Sequence, residues 1–239
     1  MPEKVAPMTL SLSRRSLLTV STAAAAGVLA APSASRGVAM EAAELADPWR
    51  LLVAGNERFV AGRQAHPHQT VAWRQSLVTA QHPFACVLGC ADSRVPPELL
   101  FDRGLGDLFT VRAIGEVLDD AVVGSIEYAV EHLAVPLVVV LGHTGCGAVR
   151  AAIDLLAGGG PVTGAVSVVA RAIEATVRST APTGDEAAFL AACVRNQAKR
   201  VRTELIERSA VLATAVRDRQ VDIVSAVYDL GSGSVDRLQ

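Results

Sequence analysis

Two short apolar runs, residues 84–89 and 137–142, each end in glycine and pass at once into chemically active side chains. Unbroken apolar runs of this length suit strands covered on both faces, and such strands belong to parallel sheets. The first run leads into Cys90-Ala91-Asp92-Ser93-Arg94 and the second into His143-Thr144-Gly145-Cys146. Open α/β sheets build their sites beyond the carboxyl ends of the strands, so both clusters are expected at the same end of one sheet. Together they offer two thiols and one imidazole. Cys2His is a donor set of the catalytic zinc type, which leaves a fourth tetrahedral position for water or for a carboxylate such as that of Asp92.

The remaining chain alternates helix and strand patterns. Asp47-Pro48 provides an N-cap and a first-turn proline for a helix that carries Leu51, Leu52, Phe59 and Val60 and ends near Gly62. Further helices are expected over residues 71–80, from Asp119 or Asp120 to His132, and over 147–157, 166–177 and 186–208. Gly158-Gly159-Gly160 suits the end of the 147–157 helix. Strands at 84–89, 108–111, 137–141 and 222–228 lie between these helices. The expected architecture is therefore α/β, a parallel four-stranded sheet flanked by helices and joined by right-handed crossovers.

A formal net charge of −2, with no basic stripe interleaved with aromatics, gives nucleic acid no electrostatic footprint. Of the four cysteines, Cys86 falls within the first apolar run and Cys193 on a helix, and both read as small buried apolar residues. A disulfide between them stays open as an alternative in an exported chain. His66, His68, His82 and His132 form no ligand motif and are expected to face solvent or cap helices. Export is suggested by Ser13-Arg14-Arg15-Ser16-Leu17-Leu18, followed by an uncharged Ala-rich stretch and small residues around Ala34 and Ala39. This resembles a twin-arginine signal peptide over residues 1–39, with the catalytic domain at 40–239 and a periplasmic or cell-envelope destination. The translocation machinery would then be a transient partner.

The paired clusters resemble the signatures of β-class carbonic anhydrases, C-x-D-S-R and H-x-x-C. The likeness extends through Asn56-Glu57-Arg58-Phe59, Gly104-Leu105-Gly106-Asp107-Leu108-Phe109, Gly124-Ser125-Ile126-Glu127-Tyr128 and Gly142-His143-Thr144-Gly145-Cys146-Gly147 to the final strand. One departure is Glu116, in Val111-Arg112-Ala113-Ile114-Gly115-Glu116, where the family usually carries Asn.

The resemblance implies zinc-dependent, reversible hydration of carbon dioxide to bicarbonate and a proton, with one zinc held by Cys90, His143 and Cys146. It assigns Asp92 and Arg94 as a catalytic dyad that governs the open metal position. It places Gln81, Phe109, Tyr128 and the Gly147 amide at the substrate, partly across the interface of a homodimer or higher homo-oligomer. Members that are shut by bicarbonate carry Trp where this chain has Val87, with an Arg and a Tyr matching Arg112 and Tyr228, so bicarbonate-driven closure is not expected here. Closure at low pH is compatible with the same residues. Two other readings share these ligands: a carbonyl sulfide or carbon disulfide hydrolase, and a non-catalytic zinc-binding protein.

Overall fold

The structure, a computed structural model, describes residues 47–159 and 163–239. The signal-peptide reading of residues 1–39 and the glycine at 160 lie outside the described residues. Helix α1 (Pro48–Val60) starts where Asp47 accepts a hydrogen bond from the Arg50 amide, with proline in the first turn. Helix α2 (Val71–Ser76) is shorter than expected, because Leu77 and Val78 turn back with i→i−3 bonds to Arg74 and Gln75. Strand β1 (Ala85–Gly89) is followed by the single turn α3 (Pro97–Leu100) and strand β2 (Leu108–Arg112). Next come a 3-10 turn (Ile114–Glu116), α4 (Asp120–Glu131) capped by Asp119, and β3 (Leu137–His143). The chain then runs through α5 (Gly147–Leu156), α6 (Val166–Ser179), α7 (Glu186–Arg208), α8 (Ala210–Arg217), β4 (Asp222–Tyr228) and β5 (Val235–Arg237).

The sheet order is β2-β1-β3-β4-β5. Its first four strands are parallel, as expected. The expected four-stranded sheet gains a fifth member, β5, which pairs antiparallel with the end of β4 through Tyr228 opposite Val235. Three residues reading Val-Asp-Arg carry too little pattern to be recognised as a strand, and the hairpin with β4 defines it. Helix α8 was likewise not anticipated; its N-cap is Ser209, whose hydroxyl accepts from the Leu212 amide at 3.0 Å.

Side-chain alternation along the strands divides the core in two. Cys86, Leu88, Val138, Val140 and Ile223 pack on one face against α4 to α8, through Ile126, Val149, Ile173, Cys193, Leu205 and Leu212. Ala85, Val87, Leu137, Val139, Leu141 and Val224 pack on the other against Leu52 of α1 and Phe101. Both faces of β1 and β3 are fully buried, so their unbroken apolar runs follow from the two-sided covering. All four cysteines are free, including Cys86 and Cys193. Burial pushes the Cys86 thiol up to about 12, as befits an inert core residue.

Candidate metal centre

The register that aligns Gly89 with Leu141 brings the ends of neighbouring strands β1 and β3 side by side. Cys90 follows the first and His143 ends the second, so two ligand types meet with no long loop between them. The turn to Cys146 needs Gly145, whose φ of +68° lies in the left-handed region that suits glycine. Cys146 then serves as the N-cap residue of α5, where the helix dipole and first-turn amides favour a thiolate. The ligand atoms of Cys90, His143 and Cys146 all lie within 4.8 Å of one another, and all three residues are buried.

Local hydrogen bonds prepare each donor. His143 Nδ1 lies 3.0 Å from the Thr144 carbonyl, and a proton donated there leaves Nε2 as the free acceptor. Nε2 is buried and has no hydrogen-bond partner among the described residues, the arrangement of a metal-facing nitrogen. Cys90 Sγ accepts from the Asp92 amide at 3.4 Å and the Gly115 amide at 3.3 Å. The shared proton of the two thiols, with those amides and His143, pulls Cys90 down, while the same sharing and burial push Cys146 up. Soft thiolate donors, an orphaned imidazole nitrogen and a shared centre fit zinc.

Beside Cys90, Arg94 grips Asp92 through both carboxylate oxygens, with Nε to Oδ1 at 2.9 Å and Nη2 to Oδ2 at 2.7 Å. The Arg94 amide donates to the same Oδ1 at 2.9 Å. The guanidinium holds the Asp92 carboxyl well below the usual carboxylate range. Gly147 opens α5 directly after Cys146. Phe109 and Tyr128 are neighbours, with ring centroids 6.2 Å apart. Gln81 and Tyr128, by contrast, line a separate surface groove of about 710 Å³ with Arg74, Leu105 and His132. Within one chain the structure thus gathers Cys90, His143 and Cys146 beside the Asp92–Arg94 pair, whereas the groove lined by Gln81 and Tyr128 includes none of these five residues.

Several residues around the centre are named from the sequence, but not for the contacts they make. Arg112 directs Nε to the Cys90 carbonyl at 2.9 Å and Nη2 to the Asp92 carbonyl at 2.6 Å, clamping the turn that carries ligand and dyad. Val87 is fully buried on the α1 side of the sheet, in the same cluster as Tyr228. Glu116 is only 2 % exposed, has φ +52° and leaves Oε1 without a partner among the described residues. Burial first, and the nearby Cys90 second, hold its carboxyl well above the ordinary range. Its departure from the family's Asn was the available signal. His68, expected to face solvent or cap, stacks on Trp73 with centroids 3.8 Å apart and bonds Asp107 at 2.6 Å.

Residues 85–235 match the family model described as Carbonic anhydrase, the span that holds all three ligands and the dyad. The chain belongs to the β-carbonic anhydrase family. It is 43 % identical over 189 residues to carbonic anhydrase 2 of Mycobacterium tuberculosis, covering 77 % of this chain and 88 % of that protein. A carbonic anhydrase of Mycolicibacterium smegmatis is 42 % identical over 191 residues, covering 79 % of this chain and 90 % of the relative. Among solved structures, a β-carbonic anhydrase of Aspergillus fumigatus superposes with a TM-score of 0.62 at 29 % identity, over 81 % of this chain and 91 % of the other. A tetrameric β-carbonic anhydrase of Sordaria macrospora has the same fold, with a TM-score of 0.63 at 21 % identity over 85 % of this chain and 96 % of the other.

Proposed function

We propose that this chain is a zinc enzyme that interconverts carbon dioxide and water with bicarbonate and a proton. The observation that carries the reading is the convergence of Cys90, His143 and Cys146 on one buried centre, next to the Asp92–Arg94 pair. Cys90 and Cys146 would hold zinc as thiolates and His143 through Nε2, as a neutral imidazole. Zinc in such a site supplies an activated water, whose pKa falls from about 15.7 toward neutrality.

The chain's own residues order the chemistry. Arg94 keeps Asp92 ionised and fixed in place, so its carboxylate is available to accept a hydrogen bond from the reacting water and orient it. Arg112 holds the Cys90 and Asp92 carbonyls and so fixes the spacing between ligand and dyad. The Gly147 amide, at the N-terminus of α5, orients substrate oxygen. Phe109 supplies apolar wall for carbon dioxide. Gln81 and Tyr128 share a groove that includes none of the metal ligands of their own chain, which supports a homodimer or larger homo-oligomer in which they complete the pocket of an adjacent subunit. Export by the twin-arginine route to the periplasm or cell envelope belongs to the same proposal and rests on Arg14-Arg15 and the apolar stretch that follows them.

The deciding experiment is stopped-flow hydration of carbon dioxide by the zinc-loaded chain, with carbonyl sulfide as a parallel substrate. About one zinc per chain is expected, and Cys90→Ser or His143→Ala should lose both metal and activity. Full zinc occupancy in either variant would reject the ligand assignment. Turnover of carbonyl sulfide without carbon dioxide hydration would change the substrate.

A further inference from the structure

The orientation of His143 depends on the carbonyl of the residue that follows it, and that residue is held by the hairpin between β4 and β5. Nδ1 of His143 faces the Thr144 carbonyl at 3.0 Å. The Thr144 amide donates to the Tyr228 carbonyl at 3.0 Å, and its Oγ1 accepts from the Leu230 amide at 2.9 Å. The hairpin that supplies Leu230 is itself rigid. Asp229 Oδ1 accepts from the Gly231 amide at 3.0 Å, the Ser232 amide at 2.7 Å and the Ser232 hydroxyl at 2.9 Å. Farther along, the Val235 amide donates to Asn56 Oδ1 at 2.9 Å, and Asn56 Nδ2 donates to the Gly233 carbonyl at 2.9 Å. A continuous set of hydrogen bonds therefore runs from the buried side chain of α1, through the hairpin, to the peptide that faces the imidazole.

This arrangement has a specific consequence for the metal. An imidazole bound through Nε2 needs its other nitrogen protonated and fixed, because an unrestrained ring loses donor strength and direction. The amide bond to Tyr228 fixes the His143–Thr144 peptide but leaves the next one, Thr144–Gly145, whose carbonyl faces the imidazole, free to rotate about the Thr144 Cα. The second attachment, through the side chain, removes this freedom. We propose that Thr144 is a positioning residue for the metal centre: its hydroxyl, anchored by the Leu230 amide, aims the carbonyl that holds His143 with Nε2 toward zinc. The inference rests on the zinc reading given above and adds to it a role for the C-terminal hairpin in metal affinity.

The test compares zinc affinity, by competition with a chromophoric chelator, and the visible absorption of the cobalt-substituted full-length protein across three variants. Thr144→Val keeps the shape and deletes the hydroxyl, Thr144→Ser keeps the hydroxyl, and Thr144→Ala introduces no new atom and serves where the valine form does not fold. Loss of zinc affinity by roughly 10- to 100-fold, the usual range for a displaced partner of a metal-bound histidine, is expected for Val and Ala, with an altered cobalt spectrum. Ser should restore both readouts. Wild-type affinity and spectrum in the Val or Ala form overturn the proposal, as does a Ser form as weak as Val. A wild-type chain that binds no zinc overturns the metal reading itself, and that result precedes any comparison of variants.

Discussion

At the scale of single residues, the pairing of Asp92 with Arg94 is a partly exposed ion pair whose proposed role is to order the site and not to add much stability. The Arg94 side chain is 57 % exposed, so solvent screens the attraction and the net stabilisation is small. Its importance lies in where the carboxylate is held. Both oxygens are bound by one planar guanidinium, a match that lysine cannot reproduce. Arg94→Ala should therefore lower carbon dioxide turnover by about 10²-fold, the scale of loss when a group that positions the reactants is displaced, while zinc content by metal analysis stays at the wild-type level. Near-normal turnover would show that Arg94 serves the local turn alone. Arg112, at the end of the adjacent strand β2, contributes through the Cys90 and Asp92 carbonyls, and its loss should act on the same turn.

At the scale of elements, one buried side chain of α1 is bonded both to the end of α3 and to the C-terminal hairpin. Asn56 donates to the Leu100 carbonyl at the end of α3 at 3.0 Å and to Gly233, and accepts from Val235. Three of the four hydrogen-bonding capacities of an amide are thus used, which suits a residue 6 % exposed. The neighbouring Gly55 lets the helix approach this closely, since a Cβ there would lie 1.7 Å from the Phe101 carbonyl oxygen. Asn56→Ala should leave buried backbone groups unpaired at both α3 and the hairpin. We expect a loss of about 1–3 kcal/mol per group left unsatisfied, read as a lower urea midpoint. An unchanged midpoint would mean that water replaces the amide without cost.

For the whole molecule, Asp102 is one carboxylate through which acid weakens the fold. Its side chain is 1 % exposed and pairs with Arg58 Nε at 2.6 Å. Burial works to raise its pKa, but the Ala65 amide, the Arg58 guanidinium and the His66 amide outweigh it and hold the carboxyl below its ordinary value. A depressed folded-state pKa contributes stability that is present above the unfolded value, about 3.9 for aspartate, and disappears as pH falls through the folded value. Unfolding free energy should accordingly fall as the medium is acidified below about pH 4, and Asp102→Asn should be less stable at neutral pH with a shallower acid dependence. Urea titrations from neutral to acid pH on both proteins decide the matter; parallel curves would assign acid lability to other carboxylates.

The parallel strands, the end of the sheet at which the candidate site forms, and the Cys90, His143 and Cys146 group with the neighbouring Asp92–Arg94 pair were all legible in the sequence. Each of these is written locally: an apolar run buried on both faces needs no partner to be read, and Cys90, Asp92, Arg94, His143 and Cys146 stand within a few residues of the strand ends that present them. Tertiary structure alone decided β5, α8, the clamp from Arg112, the burial of Glu116, the attachment of Thr144 to Leu230 and the groove that Gln81 and Tyr128 share without the ligands of their own chain. The physical reason is that these features depend on backbone amides and carbonyls far away in sequence. Every residue carries the same backbone groups, so no residue type announces which of them a side chain will meet until the chain has folded.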